Sequence, residues 1–143
     1  MTTNDEGLDD FSKKVSGELF RRYPGWSAYA SVNQASNGSS CCLELRVPCP
    51  QGSAARFLRV STCDAEVLVS FDDPRTEFAG LGTEEAMALI DDLVAARSSI
   101  AVITAGDTWL HSEIVAAGET VELTEGQAVR IFGWAAPGDS GVL

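Results

Sequence analysis

The chain is short of several things, and each shortage excludes something. Among its 143 residues there is a single histidine, His111, and only ten lysines and arginines stand against 21 acids. A net charge of −11 repels nucleic-acid phosphates and anionic membranes, so neither is expected as a partner. No apolar run approaches the ~20 residues of a membrane span. The opening Met1-Thr2-Thr3-Asn4-Asp5-Glu6-Gly7 lacks the basic start and apolar core of a signal peptide, which predicts a cytoplasmic protein. Cysteine occurs four times, at Cys41, Cys42, Cys49 and Cys63, with no CxxC pair. Adjacent Cys41 and Cys42 point to opposite faces of a strand, so free thiols are expected rather than a zinc site. GxSxG, HExxH, P-loop and GxGxxG motifs are missing as well, which lowers the odds of an enzyme.

What is present is an ordinary globular composition, 45% hydrophobic and 22% charged, enough for one domain over 1–143 with a core of its own. Residues 1–6 and 136–143 read as flexible ends. Residues 7–22 predict a helix, because Leu8, Phe11, Val15 and Leu19 fall on one stripe. Asp9 and Asp10 at its start and Arg21 and Arg22 at its end complement the helix dipole, and Tyr23-Pro24-Gly25 stops it. Strands are expected at 26–32, 41–47, 57–62 and 66–71, with turns at Asn37-Gly38-Ser39-Ser40 and Cys63-Asp64-Ala65 and a proline-rich loop at 48–53. Short strands with short connections argue for an antiparallel meander. A second helix follows over about 83–97, with Thr83 as its expected cap and Ala86, Met87, Ile90, Leu93 and Val94 as its core stripe, while Asp91 and Asp92 face solvent. The apolar run 99–104 predicts a strand covered on both faces, Gly106-Asp107 turns it into 108–116, and 129–134 is the last strand. The fold class is therefore α+β, in the order α-ββββ-α-βββ. A mostly antiparallel sheet of about six to seven strands is expected, with two helices packed on one face.

Charge is unevenly distributed. Up to Gly25 five acids nearly balance four bases, whereas Asp64 to Glu125 holds fourteen acids and only Arg75 and Arg97. Such a segment keeps a protein soluble, and it also attracts a basic partner and speeds association. Within it, Asp72-Asp73-Pro74-Arg75-Thr76-Glu77-Phe78 gathers three acids and an arginine after a strand, where loops often carry function. The spacing is not that of a cation-binding EF-hand loop; it reads as a solvated turn or as a protein contact, with Arg75 offering forked hydrogen bonds. Trp109, beside the Gly106-Asp107 turn, suits either a core or a binding hot spot. His111 and Glu113 lie two residues apart on one strand, sharing a face with Trp109, and resemble a base with its orienting carboxylate; no nucleophile is marked by sequence. Arg46, Arg56 and Arg59 lack the interleaved aromatics of a nucleic-acid site and suit cross-strand pairing with Glu44.

Over residues 66–116 the chain resembles small immunity proteins of bacterial polymorphic-toxin systems. The resemblance rests on Phe71-Asp72 ending a strand, on Thr76-Glu77-Phe78, and on the helix segment Ala88-Leu89-Ile90-Asp91-Asp92 before a hairpin. Arg75 and Glu77 stand where such loops carry histidine. It implies a non-catalytic inhibitor that plugs the active site of a cognate toxin with a basic surface. An acidic chaperone for a secreted effector and a small hydrolase using His111 are the alternatives. No cofactor and no metal are expected. The expected partner contacts are Asp72, Asp73, Arg75, Glu77, Trp109, His111 and Glu113.

Overall fold

The computed structural model describes residues 8–34, 41–50, 55–63, 65–134 and 139–142. Residues 1–6, the Asn37–Ser40 turn, residues 51–53 of the 48–53 loop, Asp64 and residues 135–138 lie outside the described residues. Helices α1 (Asp10–Arg22) and α2 (Thr83–Val94) accompany strands β1 (Ala30–Gln34), β2 (Cys41–Pro48), β3 (Phe57–Cys63), β4 (Glu66–Phe71), β5 (Phe78–Leu81), β6 (Ser98–Ala105), β7 (Thr108–Ala116), β8 (Gln127–Phe132) and β9 (Asp139–Val142). The class is α+β and every pairing is antiparallel. The described strands form two sheets, a meander β1-β2-β3-β4-β5 and a second sheet in the order β7-β6-β8-β9. Two strands exceed the sequence expectation. Phe78 sends the end of the acidic loop back along β4 as β5, and the Asp139–Val142 segment, expected to be part of a flexible end, pairs with β8.

α1 forms where its stripe predicts. Asp9 caps it, accepting the Ser12 N–H at 2.8 Å, a contact worth about 1 kcal/mol. Val15 and Leu19 are fully buried, and between them the small Ser12 and Ser16 let the helix lie close on the first sheet. Ser12 Oγ sits 2.5 Å from Thr62 Oγ1 of β3, which also accepts the Leu43 N–H of β2 at 2.9 Å. The buried hydroxyls thereby satisfy one another and a backbone donor.

The strand expected at 26–32 starts late. Pro24 opens a 3₁₀ helix over Pro24–Tyr29, and Trp26 stacks on Tyr23 with ring centroids 4.1 Å apart, so the chain extends only from Ala30. In β3 and β4 the inward residues Leu58, Val60, Val67, Val69 and Phe71 alternate with outward ones, as a strand's pleat requires.

α2 begins one residue earlier than expected. Gly82 is the cap and Thr83 the first helical residue, because β5 runs up to Leu81; the Glu85 carboxylate accepts the Gly82 N–H at 3.1 Å. Ala86, Met87, Leu89, Ile90 and Leu93 are buried. The helix ends at Val94 rather than near Arg97, since Ala96 turns left-handed at φ 58°. Asp91 does not simply face solvent: it accepts from Arg22 and from the Tyr23 hydroxyl, tying α2 to the end of α1.

One core joins the inner face of the first sheet, both helices, and Ile100, Val102 and Phe132 of the second sheet. β6 is covered on both faces as expected. Its other face, Ala101 and Ile103, packs with Val115 under Val121 and Leu123 of the connection 117–126. That connection is the layer that closes the second sheet on its outer side.

Candidate protein-contact face

The acidic loop is held internally before it can hold anything else. Asp73 ends β4's exit and accepts the Arg75 N–H at 2.8 Å, and its carboxylate is gripped by the Arg75 guanidinium through Nε at 3.0 Å and a terminal nitrogen at 2.7 Å. That guanidinium holds the Asp73 carboxyl below the usual carboxylate range, against the opposing effect of burial. Thr76, fully buried, accepts the Phe71 N–H at 2.9 Å and donates to the Asp73 carbonyl at 2.5 Å. Asp72 accepts the Arg56 N–H at 3.1 Å. Glu77 lies 3.9 Å from Arg59, whose guanidinium is otherwise forked onto Glu44 at 2.8 and 3.3 Å. The forked hydrogen bonds expected of Arg75 are thus spent within the loop.

The fold brings this loop to β7. Ser112 Oγ donates to the Arg75 carbonyl at 2.6 Å and accepts the Trp109 indole N–H at 3.0 Å. Two regions flagged separately by sequence therefore meet through a serine that carried no signal of its own. Trp109 is 52% exposed, with Leu110 at 43% and Ile114 at 44% beside it. β7 is an edge strand, and of its nine residues only Val115 is buried. An exposed apolar edge of this kind is normally avoided, covered or used.

His111 and Trp109 do not share a face. The β6–β7 register shifts at Leu110, so Trp109 pairs with Thr104 but His111 with the adjacent Ile103, and those two β6 residues point to opposite sides. Trp109 joins Ser112 and Ile114 on the side of the acidic loop. His111 and Glu113 lie on the side of Ala101 and Ile103 and of the connection 117–126. His111 Nε2 is 3.5 Å from Glu113 Oε1, with both side chains about half exposed.

Charge pairing redraws the acidic map. Asp73, Glu77, Asp91 and Asp92 each have an arginine partner. From Arg97 to Arg130 the chain has no lysine or arginine, but it has Asp107, Glu113, Glu119, Glu122 and Glu125. Val121 and Leu123 point into the small outer cluster, which leaves Glu122 between them exposed. The longest stretch of chain with acids and no lysine or arginine is thus the one that forms β7 and the layer next to it, beyond the loop that composition emphasised. Leu110, Ile114 and Glu119 belong to this surface and were not singled out by sequence, which does not show that β7 lies at a sheet edge.

Other features converge less. Arg46 covers the Phe57 ring at 5.3 Å, and a small depression of about 160 Å³ between Arg46, Arg59 and Asp72 is already crossed by the Arg59 ion pairs. A groove of about 490 Å³ between α1 and α2 is rimmed by Lys14, Glu18, Arg22 and Asp91, two of which pair across it. Cys42 is buried, Cys63 exposed, and the Cys49 thiol is pushed up to about 12 by burial and by nearby Asp72. Among the described residues no three histidine, cysteine or carboxylate side chains gather at metal-binding distance, and no helix is long and apolar enough to cross a membrane. Comparison of the chain with protein-family models, with curated proteins and with solved structures finds no match.

Proposed function

We propose that this protein is a non-catalytic binding protein of the immunity type, a cytoplasmic inhibitor that covers the active site of a basic toxin domain. The observation that supports the reading best is the exposed edge strand β7. It sets Trp109, Leu110 and Ile114 in solvent within a stretch of chain, 98–129, that carries acids and no lysine or arginine. Apolar anchors inside a charged rim are the usual anatomy of a protein interface, and tryptophan is the residue most enriched at its hot spots. A basic partner would be steered in by the acidic layer and retained by the anchors.

The test takes the gene neighbouring that of this chain, which the proposal expects to encode the toxin domain. Co-expression should restore growth with the wild-type protein and fail with Trp109→Ala combined with Glu113→Lys. The association rate should fall several-fold between about 0.05 and 0.5 M salt, as the screening length shrinks. Rescue by the double variant, or no rescue by the wild type, would overturn the proposal.

A further inference from the structure

The backbone of β7 says how a partner would be received. The Ala117 N–H donates to the Arg97 carbonyl at 2.8 Å, which fixes the alternation of the antiparallel ladder. Counting back, Val115, Glu113 and His111 turn their backbone groups toward β6, whereas Ala116, Ile114 and Ser112 turn theirs outward. Ala116 confirms the count: its N–H is taken by Glu119 Oε1 at 2.8 Å and its carbonyl by the Glu119 N–H at 2.9 Å. Glu119 thus closes one end of the edge, and the shift at Leu110 interrupts regular pairing at the other. Between them Ser112 and Ile114 present outward N–H and C=O groups, and among the described residues β7 has no strand on that side.

We infer that β7 accepts an extended segment of the partner as an added strand, and that this segment alternates basic and apolar side chains. The inference rests on the binding-face reading above and specifies its chemistry. Alternation follows from the pleat, since residues of an incoming strand align face by face with those of β7. On one side they meet Ile114 and, past the bulge, Trp109, which favours apolar residues. On the other they meet Glu113 next to the layer carrying Glu119 and Glu122, which favours lysine or arginine. A second copy of this chain would bring another −11 charge to the same edge, so the charge favours a basic foreign strand.

The probe is a capped nine-residue peptide of alternating lysine and valine, used with a glutamate–valine counterpart and a version N-methylated at alternate residues so that one edge cannot donate. Titrated into the isotope-labelled full chain, the lysine–valine peptide should shift the Ser112 and Ile114 amide signals and slow their hydrogen exchange. N-methylation should weaken binding about tenfold, as loss of one or two edge hydrogen bonds implies. Ile114→Pro, which removes an outward N–H and leaves the β6 ladder intact, should do the same, while Ile114→Ala loses less. The N-methylated peptide needs no change in the protein, so it decides the matter even if the proline variant folds poorly. Binding indifferent to N-methylation but abolished by Glu113→Lys would overturn strand addition and leave the binding face standing. Failure of the lysine–valine peptide to bind, with toxin rescue also lost, would overturn both. Self-association of the free protein that Ile114→Pro abolishes would assign the edge to a second copy and overturn the inference.

Discussion

Replacing Thr76 with valine tests the loop that supports the contact face. Valine has nearly the same shape, so the substitution removes one oxygen and little else. That oxygen is fully buried, accepts the Phe71 N–H at 2.9 Å and donates to the Asp73 carbonyl at 2.5 Å. Without it the Phe71 N–H is stranded, which costs about 1–3 kcal/mol, and the Asp73 carbonyl loses a further neutral hydrogen bond. The expected destabilisation is about 2–3 kcal/mol, or roughly 6–10 °C in Tm for a chain of this size. Thr76→Ser keeps the oxygen and loses one methyl group, so it should cost only about 1 kcal/mol. Urea denaturation followed by circular dichroism ranks the two. Hydrophobicity alone predicts the opposite order, with valine the better core residue. A Thr76→Val protein within about 0.5 kcal/mol of wild type, or a serine variant less stable than the valine one, would refute the reasoning. Because Arg75 precedes Thr76 and its carbonyl receives Ser112, the valine variant should also speed amide exchange at Ser112.

Ala96 occupies the left-handed position after α2 at φ 58°, within the paired bonds from Ala96 N–H to the Leu93 carbonyl at 3.0 Å and from Arg97 N–H to the Asp92 carbonyl at 2.8 Å. Ala96→Gly should therefore stabilise the protein by about 0.5–1 kcal/mol, and a lowered denaturation midpoint would contradict this account. The Tyr23 phenol, pushed up to about 12 by burial and then by its hydrogen bond to Asp91, stays protonated in the fold beyond its ordinary 10.0. The unfolded chain releases that proton first, so stability should decline as pH rises from about 10 to about 12. An absorbance titration should show a tyrosinate step well above 10 for Tyr23, and Asp91→Asn should lower it; its absence in the wild type would refute the assignment.

Much of the scaffold was legible because it depends on near neighbours. The stripe of α1, the stripe of α2 and the two-faced apolar run of β6 are patterns that a few consecutive residues encode. The α+β class and the meander followed from their order. The contact face was only half legible. Arg75 and Trp109 could each be noticed as unusual, yet nothing in the sequence shows that Ser112 joins them or that a one-residue shift at Leu110 turns Trp109 away from His111. The acid count was correct but its map was not. Asp73 is neutralised by an arginine two residues away, which local reading can suspect. Asp91 is held by Arg22 from 69 residues away, which it cannot. Whether β7 is central or an edge is also invisible to composition, because the same apolar residues serve burial and binding. The sequence by itself determined both helices, seven of the strand segments to within a few residues, and how much negative charge the chain carries. Only the tertiary structure decided which acids are paired by distant arginines and which described strand lies at an edge, because both depend on the path that brings distant segments side by side.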